Sequence, residues 1–160
     1  MGRARWFRLA GVWLAVGLVP AAASACGSGA GPPLFPGPGI VTVTMVDNQF
    51  QYDPRIPSGR VVFQVSNAGQ EAHRLTMVPL PADVPPINQQ LHGPVRVSIV
   101  PFAATPTMPP GSRDSFAVDL APGQRYALLD FLQSPTASES HAMMGMNSEF
   151  RTPGQSIARS

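Results

Sequence analysis

From Ile40 onward, short stretches of alternating apolar and polar residues recur, each set off by a Pro/Gly turn. Ile40–Val46 (IVTVTMV) is rich in β-branched residues, and Val61–Val65 (VVFQV) alternates after Pro57-Ser58-Gly59. Ser115–Leu120 follows Pro109-Pro110-Gly111, and Arg125–Phe131 follows Ala121-Pro122-Gly123. In the last of these, Tyr126, Leu128 and Asp130 share one face and Ala127, Leu129 and Phe131 the other. A period of two marks strands. Arg74–Val78, Val95–Val100 and a closing Phe150–Thr152 read as further short strands, whereas Pro79–Pro94, with five prolines, reads as a surface excursion. No convincing 3.6-residue periodicity interrupts this pattern, and no internal repeat is visible. Pro-rich turns between short strands predict an all-β sandwich or barrel. Phe50, Phe63, Phe102, Phe116, Tyr126 and Phe131 are its expected core, and the face shared by Tyr126 and Asp130 is expected to point inward.

The N-terminal quarter follows a different pattern. Arg3, Arg5 and Arg8 precede an apolar run from Leu9 to Val19, which Pro20 ends. About a dozen apolar residues fit the core of a signal peptide and are too few to span a bilayer. Residues 1–25 are therefore expected to act as an export signal, with an uncleaved anchor as the alternative. Residues 26–39 (CGSGAGPPLFPGPG) form a Gly/Pro-rich flexible linker, and 40–160 the folded domain, large enough for one two-sheet core. Cys26 is the only cysteine, so it has no internal disulfide partner. Ala23-Ser24-Ala25-Cys26 resembles the bacterial lipobox, in which the cysteine is lipidated after cleavage, although Ala23 stands where that motif usually has Leu. Lipidation of Cys26 would tether the domain to the outer face of the cell membrane. The same residues also fit ordinary cleavage and release of a secreted protein.

Charge changes little about the domain itself. Three of the eleven arginines lie in the leader, so eight remain against nine Asp and Glu, a net charge of about −1. There is no lysine and no basic run interleaved with aromatics, which argues against a nucleic-acid partner.

Two segments carry residues that a metal ion could draw together. One is Asn67-Ala-Gly-Gln-Glu-Ala-His73, after the Val61–Val65 strand; the other runs from Asp130 through a Pro/Ser/Thr-rich loop to His141 and Met146. Together with Phe50 and Pro54, Asn67-x-Gly69, Leu120-Ala-Pro-Gly123, Tyr126-x-Leu128 and His141-x-x-x-Gly145-Met146, these segments resemble the cupredoxin (blue-copper) family from about Val43 to Thr152. The resemblance implies a Greek-key β-sandwich of seven or eight strands. It also implies a copper site with His73 as first histidine, His141 as second and Met146 as weak axial ligand. The position of the family's ligand cysteine falls on Asp130, and a blue centre needs thiolate.

Two readings remain open at this level. In one, His73, Asp130 and His141, with Met146 more distant, hold copper or zinc without colour, for storage or for exchange with a copper-donor or acceptor protein. In the other no metal is bound, and a His73, His141 or Arg74 cation pairs with Asp130, leaving an interaction module at the cell surface. Met143 and Met144 could add thioethers for Cu(I), though methionines in such loops more often fill gaps. His92 is expected to be solvated. Nucleophile motifs such as G-x-S-x-G, calcium loops and phosphate-cradling glycine loops are absent, so a binding protein is expected and not an enzyme.

Overall fold

The computed structural model describes residues 37–94 and 100–154. The expected export signal, Cys26 and the expected linker up to residue 36 lie outside the described residues, as do 95–99 of the expected Val95–Val100 strand.

Among the described residues, eight strands form two four-stranded sheets. In chain order they are β1 (Gly39–Val46), β2 (Gln49–Gln51), β3 (Gly59–Asn67), β4 (Thr76–Leu80), β5 (Ala103–Ala104), β6 (Arg113–Leu120), β7 (Arg125–Leu129) and β8 (Asn147–Arg151). One sheet has the order β2-β1-β3-β6, with β1 and β3 parallel; the other is the antiparallel β5-β4-β7-β8. The chain changes sheet after β3, β5 and β6, as in a Greek-key sandwich.

The first sheet has one wet face, so β1 and β3 alternate strictly: Val41, Val43, Met45, Val61, Phe63 and Val65 are buried while their neighbours are not. These side chains meet Leu75, Met77, Tyr126, Leu128, Met146 and Phe150 from the second sheet and its loops. The second sheet is buried on both faces. Its outer face packs Val78, Leu80, Ala127 and Leu129 against Ile87, with Val84 and Leu91 half-buried beside them. That cover comes from a six-residue helix, α1 (Ile87–His92), inside the segment expected to be a plain excursion. Pro86 precedes it, where a fixed φ and a missing N–H cost nothing. The Ile87 amide donates to the Glu149 carboxylate, itself paired with Arg125 at 2.9 Å. The helix escapes sequence reading because it is under two turns long and carries Gln90 at a buried position. Among the described residues no helix is long and apolar enough to cross a membrane.

Four of the six expected core aromatics face inward, Phe116 only in part, where it stacks on Phe63 at 5.3 Å. Phe102 and Phe131 are 45% and 46% exposed. Phe131 lies beyond the end of β7, where the alternation no longer applies, and Phe102 lies just before the two-residue β5. Gly123 (φ +70) turns the chain between β6 and β7, and the Tyr126 hydroxyl accepts the Ala121 N–H at 2.9 Å across that turn.

Candidate metal centre

Strand register brings one end of the sandwich to a focus. Met45 pairs with Asn67, Thr76 with Leu129 and Leu129 with Asn147. The β1–β2 turn, the β3–β4 loop, the end of β7 and the β7–β8 loop therefore open at the same place. His73 is fixed in the β3–β4 loop by a two-way backbone bridge with Met108 (N–H to carbonyl 3.0 and 2.8 Å). Asn67, only 1% exposed, braces that loop: its amide donates to the carbonyls of Glu71 (2.9 Å) and Met108 (2.8 Å) and accepts the Gly69 N–H (2.9 Å). We expect Asn67→Ala to cost about 1–3 kcal/mol of stability through the polar groups it leaves unpaired. Urea unfolding of the metal-free domain would measure this.

Asp130 follows β7, and the loop after it folds back. His141 N–H donates to Leu132 O (2.9 Å), Ala142 N–H to Asp130 O (2.7 Å), and Asp130 N–H to Met146 O (3.2 Å). His73, Asp130 and His141 are 0%, 0% and 2% exposed. Their inner atoms form a triangle: His73 Nδ1 to Asp130 Oδ2 is 2.9 Å, His141 Nδ1 to the same oxygen 2.8 Å, and Nδ1 to Nδ1 3.2 Å. Asp130 Oδ1 is occupied separately, accepting the Leu132 N–H at 2.9 Å.

Two carboxylates hold the outer nitrogens. His73 Nε2 lies 3.0 Å from Asp47 Oδ1, and His141 Nε2 lies 2.7 Å from Glu71 Oε2. An ionised carboxylate only accepts, so each Nε2 carries the hydrogen. The Nδ1 atoms then face Asp130 with lone pairs, or with an added proton. Three electron-rich atoms within about 3 Å of one another require positive charge among them. Protons on Nδ1 can supply it, and so can a metal ion. The triangle suits an ion with bonds of about 2.0–2.2 Å to N and O donors. The residues present therefore fit a small divalent metal.

His73, Asp130 and His141 come together as one group able to hold a metal. Met146 is fully buried at the end of the same loop, within the main core cluster. Met143 and Met144 are half-buried. Arg74 does not reach Asp130; its Nε donates to Thr105 O at 3.1 Å. His92 is exposed, with Nδ1 2.9 Å from Asn88 O and Nε2 3.2 Å from Met143 O. Sequence reasoning alone misses Asp47 and Glu71. Glu71 sits in the quoted Asn67–His73 stretch, two residues before the histidine, and that proximity was the available signal. Asp47 is 26 residues from His73, in a two-residue turn between paired Val46 and Gln49, and nothing local marks it.

The electrostatics follow from these contacts. Burial pulls the His141 pKa down, but hydrogen bonds and charge from Asp130 and Glu71 outweigh it and raise it above 6.5. The hydrogen bond to His141 lowers Glu71 below 4.5, and the one to His73 lowers Asp47 below 3.8. A raised histidine stabilises fully below its unfolded value, and the gain is lost as pH climbs through the folded one. The lowered carboxylates act in the opposite sense, losing their contribution as pH falls below the ordinary range. The metal-free domain is thus expected to be most stable between about 4.5 and 6.5. Added metal should reverse the upper slope, because it binds deprotonated Nδ1 atoms. Melting temperature against pH, with chelator and with Cu(II), tests both slopes.

No protein-family model matches the chain, and no curated protein matches it. Among solved structures, auracyanin B aligns at 16% identity over 71% of this chain and 88% of its own, with TM-score 0.50. Dithionite-reduced auracyanin from Roseiflexus castenholzii aligns at 16% identity over 71% and 95%, with TM-score 0.49. Auracyanin A from Chloroflexus aurantiacus, a blue copper protein, aligns at 15% over 71% and 99%, with TM-score 0.46. The fold is an all-β, cupredoxin-like sandwich of two sheets.

Proposed function

We propose that this chain is an exported, lipid-anchored cupredoxin-like protein that binds copper at a non-blue site for storage or delivery. His73 Nδ1, His141 Nδ1 and Asp130 Oδ2 hold the ion, with Met146 as a more distant fourth residue. The observation that carries this reading is the buried triangle of two imidazole nitrogens and one carboxylate oxygen, whose spacing and lone pairs suit a cation. Copper is preferred to zinc because imidazole-rich sites follow the Irving–Williams order, in which Cu(II) binds more tightly, and because the sequence resembles a copper-binding family. The Asp130 oxygen cannot supply the thiolate of a blue centre, so the bound protein is expected to lack the intense colour. Binding, and not catalysis, is the role assigned.

One observation favours a second reading, a metal-free interaction module. Each polar side-chain atom of the triangle has a protein partner, and among the described residues only Gln90 Oε1 is buried without one. Cu(II) titration separates the two readings. Tight one-to-one uptake supports the copper site, whereas uptake no stronger than that of an unstructured peptide leaves the module.

The anchoring is tested in the producing cell: palmitate should label the wild type and not Cys26→Ser, and the variant should be found in the soluble fraction. Label that persists in the variant removes the lipid anchor from this reading.

A further inference from the structure

Asp47 and Glu71 do not belong to the central triangle, yet each grips the far nitrogen of one of its imidazoles. Both are themselves held. Asp47 accepts the Gln70 N–H (2.9 Å) and Glu71 N–H (3.3 Å); Glu71 accepts the hydroxyls of Ser134 (3.3 Å) and Thr136 (3.2 Å), which tie down the loop leading to His141. Gly69 makes room for one of these grips. A Cβ there would lie 2.3 Å from Asp47 Oδ1 and 2.8 Å from His73 Nε2, so a side chain would push the carboxylate off the ring.

We propose that Asp47 and Glu71 are positioning residues that orient both imidazoles toward the ion and, with Asp130, make this centre a holder of divalent cations and a poor site for Cu(I). The inference rests on the metal-binding reading above and names the class of ion. Each carboxylate takes the Nε2 hydrogen, which fixes the ring and turns its Nδ1 lone pair inward. It also raises the basicity of that nitrogen. Three carboxylates and two neutral imidazoles place three negative charges around the centre. A divalent ion leaves one uncompensated and a monovalent ion leaves two. Donor type points the same way: Cu(I) favours thiolate and thioether, and Asp130 offers a hard oxygen. Exposure ranks the two outer acids. The Asp47 side chain is 40% exposed and that of Glu71 22%, so solvent screens Asp47 more and Glu71 should contribute more charge.

The test uses the whole chain, wild type and the variants Asp47→Asn, Glu71→Gln and Gly69→Ala, titrated with Zn(II), Cu(II) and, under anaerobic reductant, Cu(I). Asn and Gln keep an acceptor and shape while removing charge; Gly69→Ala keeps the charge and displaces the carboxylate. Loss of an outer partner typically costs 10–100-fold in metal affinity, so Zn(II) and Cu(II) should weaken about 10–100-fold in Glu71→Gln, less in Asp47→Asn, and Cu(I) by under about threefold. Gly69→Ala should weaken the divalent ions like Asp47→Asn. Cu(II) paramagnetic resonance should still show two imidazole nitrogens in every variant, since the carboxylates act through the rings. An equal loss for Cu(I), or a changed nitrogen count, would reduce the acids to a structural role and overturn the proposal. Wild-type binding matched by all three variants overturns the carboxylate role alone. A wild type that holds neither divalent ion better than an unstructured peptide overturns the metal reading and this inference with it.

Discussion

Either single substitution, His73→Ala or His141→Ala, should reduce Cu(II) affinity by more than the roughly 10–100-fold expected for losing an outer partner. Each removes one of three convergent donors, and Asp130 cannot compensate, because its Oδ1 is committed to the Leu132 amide. The remaining imidazole and one carboxylate oxygen resemble what many protein surfaces offer by chance. Stability without metal should fall as well. Both rings are almost fully buried, and removing either leaves a buried carboxylate with fewer partners. Leaving a buried polar group short of a partner in this way costs about 1–3 kcal/mol. Calorimetric titration, with far-UV circular dichroism to confirm folding, measures the two effects separately. His73→Gln provides a control, since its amide NH2 can donate to Asp130 while being a poor metal ligand. It should recover much of the stability and little of the affinity. If a folded His73→Ala domain binds Cu(II) as the wild type does, the ion sits elsewhere and the triangle is a hydrogen-bonded brace.

How much of this could be read from the chain depended on the range of each signal. β1, β3 and β6 are long, and each has one face turned to the core, so their alternation and the Pro/Gly turns beside them were enough. β2 and β5, of three and two residues, carry no period. β7 is legible as a strand, but its burial on both faces depends on α1, which a sequence of prolines with one short Ile-x-x-Gln-Leu face does not announce. The inner half of the site was legible because His73, Asp130 and His141 fall in the two segments that carry the cupredoxin resemblance. The outer half was not. An Asp in a turn and a Glu in a loop look solvated, and only the parallel pairing of β1 with β3 brings Asp47 beside His73. Sequence separation hid the contact, and fold register made it.

The substitution Asp130→Cys should turn the copper-loaded protein blue, with an intense band near about 600 nm from copper–thiolate bonding. Asp130 Oδ2 already lies within 2.9 Å of both Nδ1 atoms, at the end of the strand that positions it. A thiolate at this residue would join the two imidazole nitrogens as the third donor. That ligand set defines blue-copper sites. The metal-free variant should be less stable than the wild type, because both Nδ1 atoms lose their carboxylate partner. Copper should restore part of the loss, since it binds the folded form more tightly than the unfolded chain. Asp130→Ser, equally small and without a thiolate, should stay colourless and serves as the comparison. Cu(I)-to-Cu(II) preference should shift too, toward Cu(I), as a soft donor replaces a hard one. A folded, copper-loaded Asp130→Cys protein without the band would mean that the β7–β8 loop holds its donors too far from a side chain whose reach is one atom shorter. In that case the present site would owe its geometry to the longer carboxylate and would not be a blue centre with one ligand exchanged.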